Sequence, residues 1–181
     1  DKAAFAQEVL KSRAFIVAVI QRHQLLVPLM AASGWQIERD ELVIDETLYD
    51  VTTATWLRKV KPPQPVIPSD WEAFEAFQEI FNVAQDKQSG MVTISVDHYS
   101  PTIAAQWASL LVADINNAMR ERDVSEAKRS IEYLKEHLHK TSVAEVQNIF
   151  YQLIEQQAKT IMLAEVRPEY VFKTVDPAVA P

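Results

Sequence analysis

The chain has 181 residues, 18 basic and 25 acidic, hence a formal charge of −7, with 48% hydrophobic and 24% charged positions, the composition of an ordinary globular domain. Two glycines, Gly34 and Gly90, exclude phosphate-cradling loops and dinucleotide-binding turns, which need closely spaced glycines, and the absence of cysteine excludes thiol nucleophiles, disulfides and thiolate metal sites. The acidic balance speaks against a nucleic-acid partner, no stretch approaches the roughly 20 apolar residues of a bilayer span, and Asp1-Lys2-Ala3 opens no signal-peptide pattern.

From Ala3 to about Ala32, Phe5, Val9, Leu10, Ile16, Val19 and Ile20 recur at helical spacing, which predicts one amphipathic helix. Pro28 should kink or restart it near Leu25 to Val27, and Gly34 should stop it. Trp35 to Val60 reads as short strands or irregular structure. Pro62, Pro63, Pro65 and Pro68 then form a stiff connector, expected to separate two packing units.

Ser69-Asp70-Trp71-Glu72 carries a capping box and opens a helix whose stripe is Trp71, Phe74, Phe77, Ile80 and Phe81. Gln88-Ser89-Gly90 reads as a turn into a strand over Met91 to His98. Ser100-Pro101 starts a long helix, Pro101 to Lys140, about 60 Å at the usual rise. Its second half carries Val124, Ala127, Ile131, Leu134 and Leu138 at alternating steps of three and four, a coiled-coil repeat over about two heptads. A second capping box, Ser142 with Glu145, should reverse the chain into a return helix to Ala164, of about 33 Å, with the stripe Val143, Val146, Phe150, Leu153 and Ile161. Tyr170 to Val175 reads as a closing strand, expected to share a sheet with the strand at Met91, before an extended exit to Pro181.

Several segments resemble the Wzz-type chain length determinants, the polysaccharide co-polymerases of the bacterial inner membrane. They are Val9 to Phe15, Arg22-His23-x-Leu25-Leu26, Ser100-Pro101 with Trp107, Tyr151 to Thr160, Met162-Leu163-Ala164, and above all Glu169-Tyr170-Val171-Phe172-Lys173-Thr174-Val175-Asp176-Pro177-Ala178. The resemblance runs over most of the chain. It implies a periplasmic domain bracketed by two transmembrane helices, with a small membrane-proximal sheet and a long protruding helical hairpin. It further implies homo-oligomers that act as a scaffold for a membrane polysaccharide polymerase handling lipid-linked glycan, and so set the length of O-antigen or a related lipopolysaccharide glycan. The chain departs from that pattern in lacking both membrane helices and the first strand after the leading one, and its hairpin is shorter than the longest in the family. It is therefore expected to be a soluble excised piece, with Pro181 just before the second membrane helix.

The expected architecture is a helix-dominated α/β (α+β) fold in a single domain, with a base over residues 1–100, the helix pair over 101–164 and the closing strand and exit over 165–181. Val124, Ala127, Ile131, Leu134 and Leu138 are expected to meet a second copy, the alternative being packing within the chain. Arg120, Arg122, Lys128 and Arg129 form a basic cluster suited to the pyrophosphate or acidic sugars of a lipid-linked glycan. The alternative is a solvated face paired with Glu126 and Glu132. His137 and His139, two apart, point roughly 200° apart on a helix and share no metal. No carboxylate spacing singles out a glycosidase pair and no serine sits in a nucleophile elbow, so no catalysis, metal or cofactor is expected. Three other readings remain open: the outer domain of a tyrosine autokinase in capsular polysaccharide export, a periplasmic glycan-cleaving enzyme, and a generic helical hairpin adaptor, favoured if the strands at Met91 and Tyr170 are absent.

Overall fold

The computed structural model describes every residue from Asp1 to Pro181. Six helices and six short strands follow in the order α1 (Lys2–Lys11), α2 (Arg13–Arg22), α3 (Leu26–Met30), β1 (Ala32–Gln36), β2 (Glu41–Ile44), β3 (Tyr49–Asp50), β4 (Thr55–Trp56), α4 (Asp70–Ile80), β5 (Phe81–Gln85), β6 (Val92–Val96), α5 (Pro101–Leu138) and α6 (Ala144–Val166). The fold is helix-dominated α/β, as expected. Its strands form three separate antiparallel pairs, β1-β2, β3-β4 and β5-β6, in place of one sheet. The chain divides into two compact units, one of Ala3–Val112 with Asp1 and Asp176–Pro181, the other of Ala113–Val175 with Lys2.

The first unit begins with three helices where periodicity predicted one. Ser12 ends α1 and caps α2: its hydroxyl donates to Val9 O at 2.6 Å and accepts from Phe15 N at 3.3 Å, the alternative that a serine side chain offers a helical backbone. A second break at His23-Gln24, with Gln24 at φ 55°, restarts the chain as α3. Pro28 thereby falls in a first turn, where its missing N–H has no bond to lose. Gly34 stops nothing; it lies in β1 opposite Val43.

The proline connector does not divide packing units, since both its flanks belong to the first unit. Arg58 straps it down, donating to Pro65 O and Val66 O at 2.8 Å each and to both carboxylate oxygens of Glu72 at 3.2 and 3.1 Å. The Ser69/Glu72 capping box forms as predicted. Arg58, the Ser69 amide and Gln64, all hydrogen-bonded to Glu72, hold its carboxyl down to about 2.

On α4, Ala73, Phe74 and Phe77 are buried, whereas Trp71, expected in that stripe, stands 56% exposed. Phe77 stacks on Trp107 of α5, centroids 6.0 Å apart, within a core that includes Leu10, Ile16, Val19 and Leu111. The chain passes from α4 straight into β5, which pairs with β6 from Phe81↔Val96 to Gln85↔Val92. Asp86 Oδ1 accepts from Gln88 N and Ser89 N in the connecting turn, which Gly90 closes at φ 75°. His98 Nδ1 accepts from Ser100 N, which leaves Nε2 to donate to Pro28 O at 2.9 Å. Ser100 then caps α5 through Ile103 N.

Candidate interaction surface of the second unit

The second unit consists of α5 from Ala113 onward, the turn at 139–143, α6 and the segment that follows it. Arg120 sets its register. The guanidinium donates to Ala164 O at 2.8 Å, Arg167 O at 2.6 Å, Pro168 O at 3.1 Å and Asn117 Oδ1 at 2.7 Å. Carbonyls at a helix C-terminus lack partners within the helix and carry the negative end of its dipole, so a cation satisfies both needs.

The turn joins the opposite ends of the two helices, so α5 and α6 run antiparallel with Arg120 level with Ala164. Equal rise along both then sets Ala127 level with Gln157, Ile131 with Leu153, Leu134 with Phe150 and Leu138 with Val146. Ala127 is 2% exposed, Val124, Ile131, Leu134 and Leu138 are half-buried, and so are Val146, Phe150, Ile154 and Ile161, with Ala164 fully buried, whereas Leu153, level with Ile131, is exposed. The five residues expected to meet a second copy are thus buried or half-buried in the single chain.

The segment after α6 is no strand, and its partner is not β6 but one side chain. Asn116, 3% exposed on α5, accepts from Val171 N and Phe172 N at 2.9 and 2.8 Å and donates to Phe172 O at 2.9 Å. Its amide reproduces the donor and acceptor pattern of a neighbouring strand. Beside it, Tyr170 donates to Asp123, which pairs with Lys2 at 2.7 Å, while Lys2 also donates to the Tyr170 oxygen at 3.1 Å. Burial pushes the Asp123 carboxyl up, but the hydrogen bonds from Lys2 and Tyr170 outweigh it and leave the group below its usual range. The same bond from Asp123 raises Lys2, and burial followed by Asp123 raises Tyr170.

The four basic residues do not converge. Arg120 is committed to the end of α6, while Arg122, Lys128 and Arg129 lie exposed along α5. The predicted Ser142/Glu145 box is absent: Val143 is the N-cap of α6 without a side-chain bond, and Thr141 takes over the turn by accepting from Val143 N and, through its carbonyl, from Gln147 Nε2. That shift turns the face of α6. Val143 and Leu153, assigned to the buried stripe from sequence, are exposed, and Ile154 and Ala164 take the inward positions.

What α6 leaves open is a second stripe. Ile149 (53% exposed), Leu153, Gln156 and Leu163 (54% exposed) face solvent, with Thr160 half-buried among them, at steps of four, three, four and three, the spacing of a helix-to-helix seam. No charged residue occurs from Val146 to Ile154, and the next two charges, Glu155 and Lys159, pair with each other at 3.6 Å. The exposed positions of α5 between Glu121 and Glu136, by contrast, are mostly charged. The open side was within reach of the sequence, since Ile149, Leu153 and Leu163 recur on α6 with the polar Gln156 and Thr160 completing the heptad spacing.

No three His, Asp or Glu side chains gather to hold a metal, and no helix is long and apolar enough to cross a membrane. No family model, curated protein or solved structure matches the chain.

Proposed function

We propose that this chain is the periplasmic part of a Wzz-type chain length determinant, a non-catalytic scaffold at the bacterial inner membrane that assembles from copies of itself and biases when a polysaccharide polymerase releases its glycan. One observation carries the reading. The segment with the most specific family-like sequence, Glu169 to Ala178, contains Tyr170, Val171 and Phe172, and these are the residues tied to α5 through Asp123 and Asn116. The residues behind the resemblance therefore have a physical task in building the hairpin. Assembly uses the open side of α6, Ile149, Leu153 and Leu163, in place of the α5 residues, which are buried or half-buried in the single chain. An apolar seam without charge lets copies of a chain with net charge −7 approach without like-charge repulsion.

The test is an exchange. The chain replaces the periplasmic segment of an established determinant in a strain lacking its own, and the surface polysaccharide is resolved by length on a gel. A modal cluster of lengths is the expected result, and a random, unregulated ladder from a stably expressed chimera contradicts the proposal.

A further inference from the structure

We infer that the connector of the first unit, from Leu57 to Trp71, docks on an anionic lipid surface. This goes beyond the scaffold reading and does not rest on it. Between Asp50 and Asp70 the chain, acidic overall, carries no carboxylate but does carry Arg58, Lys59 and Lys61. Arg58 is taken up by Glu72, each neutralising the other at 3.1 Å, so the two exposed lysines outweigh the one carboxylate left in the segment, the exposed Asp70, which accepts from Gln21.

The same stretch holds apolar side chains out to solvent: Leu57, Val66, Ile67 (59% exposed) and Trp71 (56% exposed). They are carried on a braced scaffold. Arg58 fixes the carbonyls of Pro65 and Val66, Gln64 and the Ser69 amide bond Glu72, Pro68 is buried, and the Trp71 ring rests on Phe74 with centroids 5.8 Å apart. Four prolines lower the entropy that ordering the segment costs, so it has little freedom to fold its apolar side chains inward.

The chemistry favours lipid as the occupant. A tryptophan and aliphatic side chains insert shallowly at the boundary of headgroup and acyl chain, while lysines extend their ammonium groups to phosphate. Each lysine near an anionic bilayer strengthens binding by about fivefold. Two free lysines against one carboxylate, Asp70, complement that surface and gain nothing on a neutral one.

Co-sedimentation of the 181-residue chain with vesicles tests this, using equal parts phosphatidylglycerol and phosphatidylcholine against phosphatidylcholine alone at low salt. The chain is expected to sediment with the anionic vesicles only. Lys59→Glu with Lys61→Glu lowers that partition by about twentyfold or more, Ile67→Ser with Trp71→Ser lowers it similarly, and Lys128→Glu with Arg129→Glu on α5 leaves it unchanged. Thermal melting confirms that each variant is folded. Failure to bind anionic vesicles, equal binding to neutral ones, undiminished binding by either connector variant, or loss in the α5 variant each overturns the inference.

Discussion

Asn116 is the residue on which the second unit depends most. Three backbone groups of an extended segment end on one buried amide, and removing it strands all three, at a cost of about 1–3 kcal/mol for a buried group left without a partner. Asn116→Ala is therefore expected to destabilise the unit by about 2–3 kcal/mol and to speed amide hydrogen exchange at Val171 and Phe172. Asn116→Asp keeps the acceptor but loses the donor to Phe172 O, so it should fall between. In the first unit Glu72 makes stability depend on pH. Its carboxyl sits near 2 when folded against an ordinary 4.5, so the stabilisation is complete above about 4.5 and fades as pH falls from there through 2. A melting series over that range should show the loss, and Glu72→Gln should flatten it while lowering stability at neutral pH by about 1–2 kcal/mol, discounted for partial exposure.

At the scale of elements, the half-buried and the exposed positions of the helix pair make opposite predictions. Leu134 is half-buried, so Leu134→Asp sets a charge on a partly apolar site and should cost about 1–3 kcal/mol, seen as a lowered melting temperature in circular dichroism. Ile149→Lys with Leu153→Lys changes exposed positions and should leave helicity unaltered. The sequence made the long elements legible where local chemistry is self-contained, as in the Ser69/Glu72 box and the Ser100-Pro101 start. It failed where a side chain overrides periodicity. Ser12 splits a continuous apolar stripe by bonding Val9 O, and Thr141 displaces the box at Ser142. The strand-like segment Tyr170–Val175 has the residues of a strand, but its pairing partner is a side-chain amide some 55 residues away, which no local pattern announces. The oligomer residues named from α5 are buried or half-buried in the single chain, and spacing reports that a face is covered, not by what.

For the whole molecule, a first unit of small antiparallel pairs and short helices and a second unit of paired long helices place the exposed charge on α5 and the exposed apolar seam on α6. That asymmetry supports a role in assembly, and it separates the surface that builds the chain from the surface left for a neighbour. Sedimentation of the wild-type chain beside Ile149→Lys/Leu153→Lys over a wide concentration range tests this most directly. The account predicts a defined, concentration-dependent oligomer for the wild type and a monomer for the variant that stays folded with unchanged helicity. A wild-type chain that stays monomeric at high concentration, or a variant that associates as the wild type does, contradicts it.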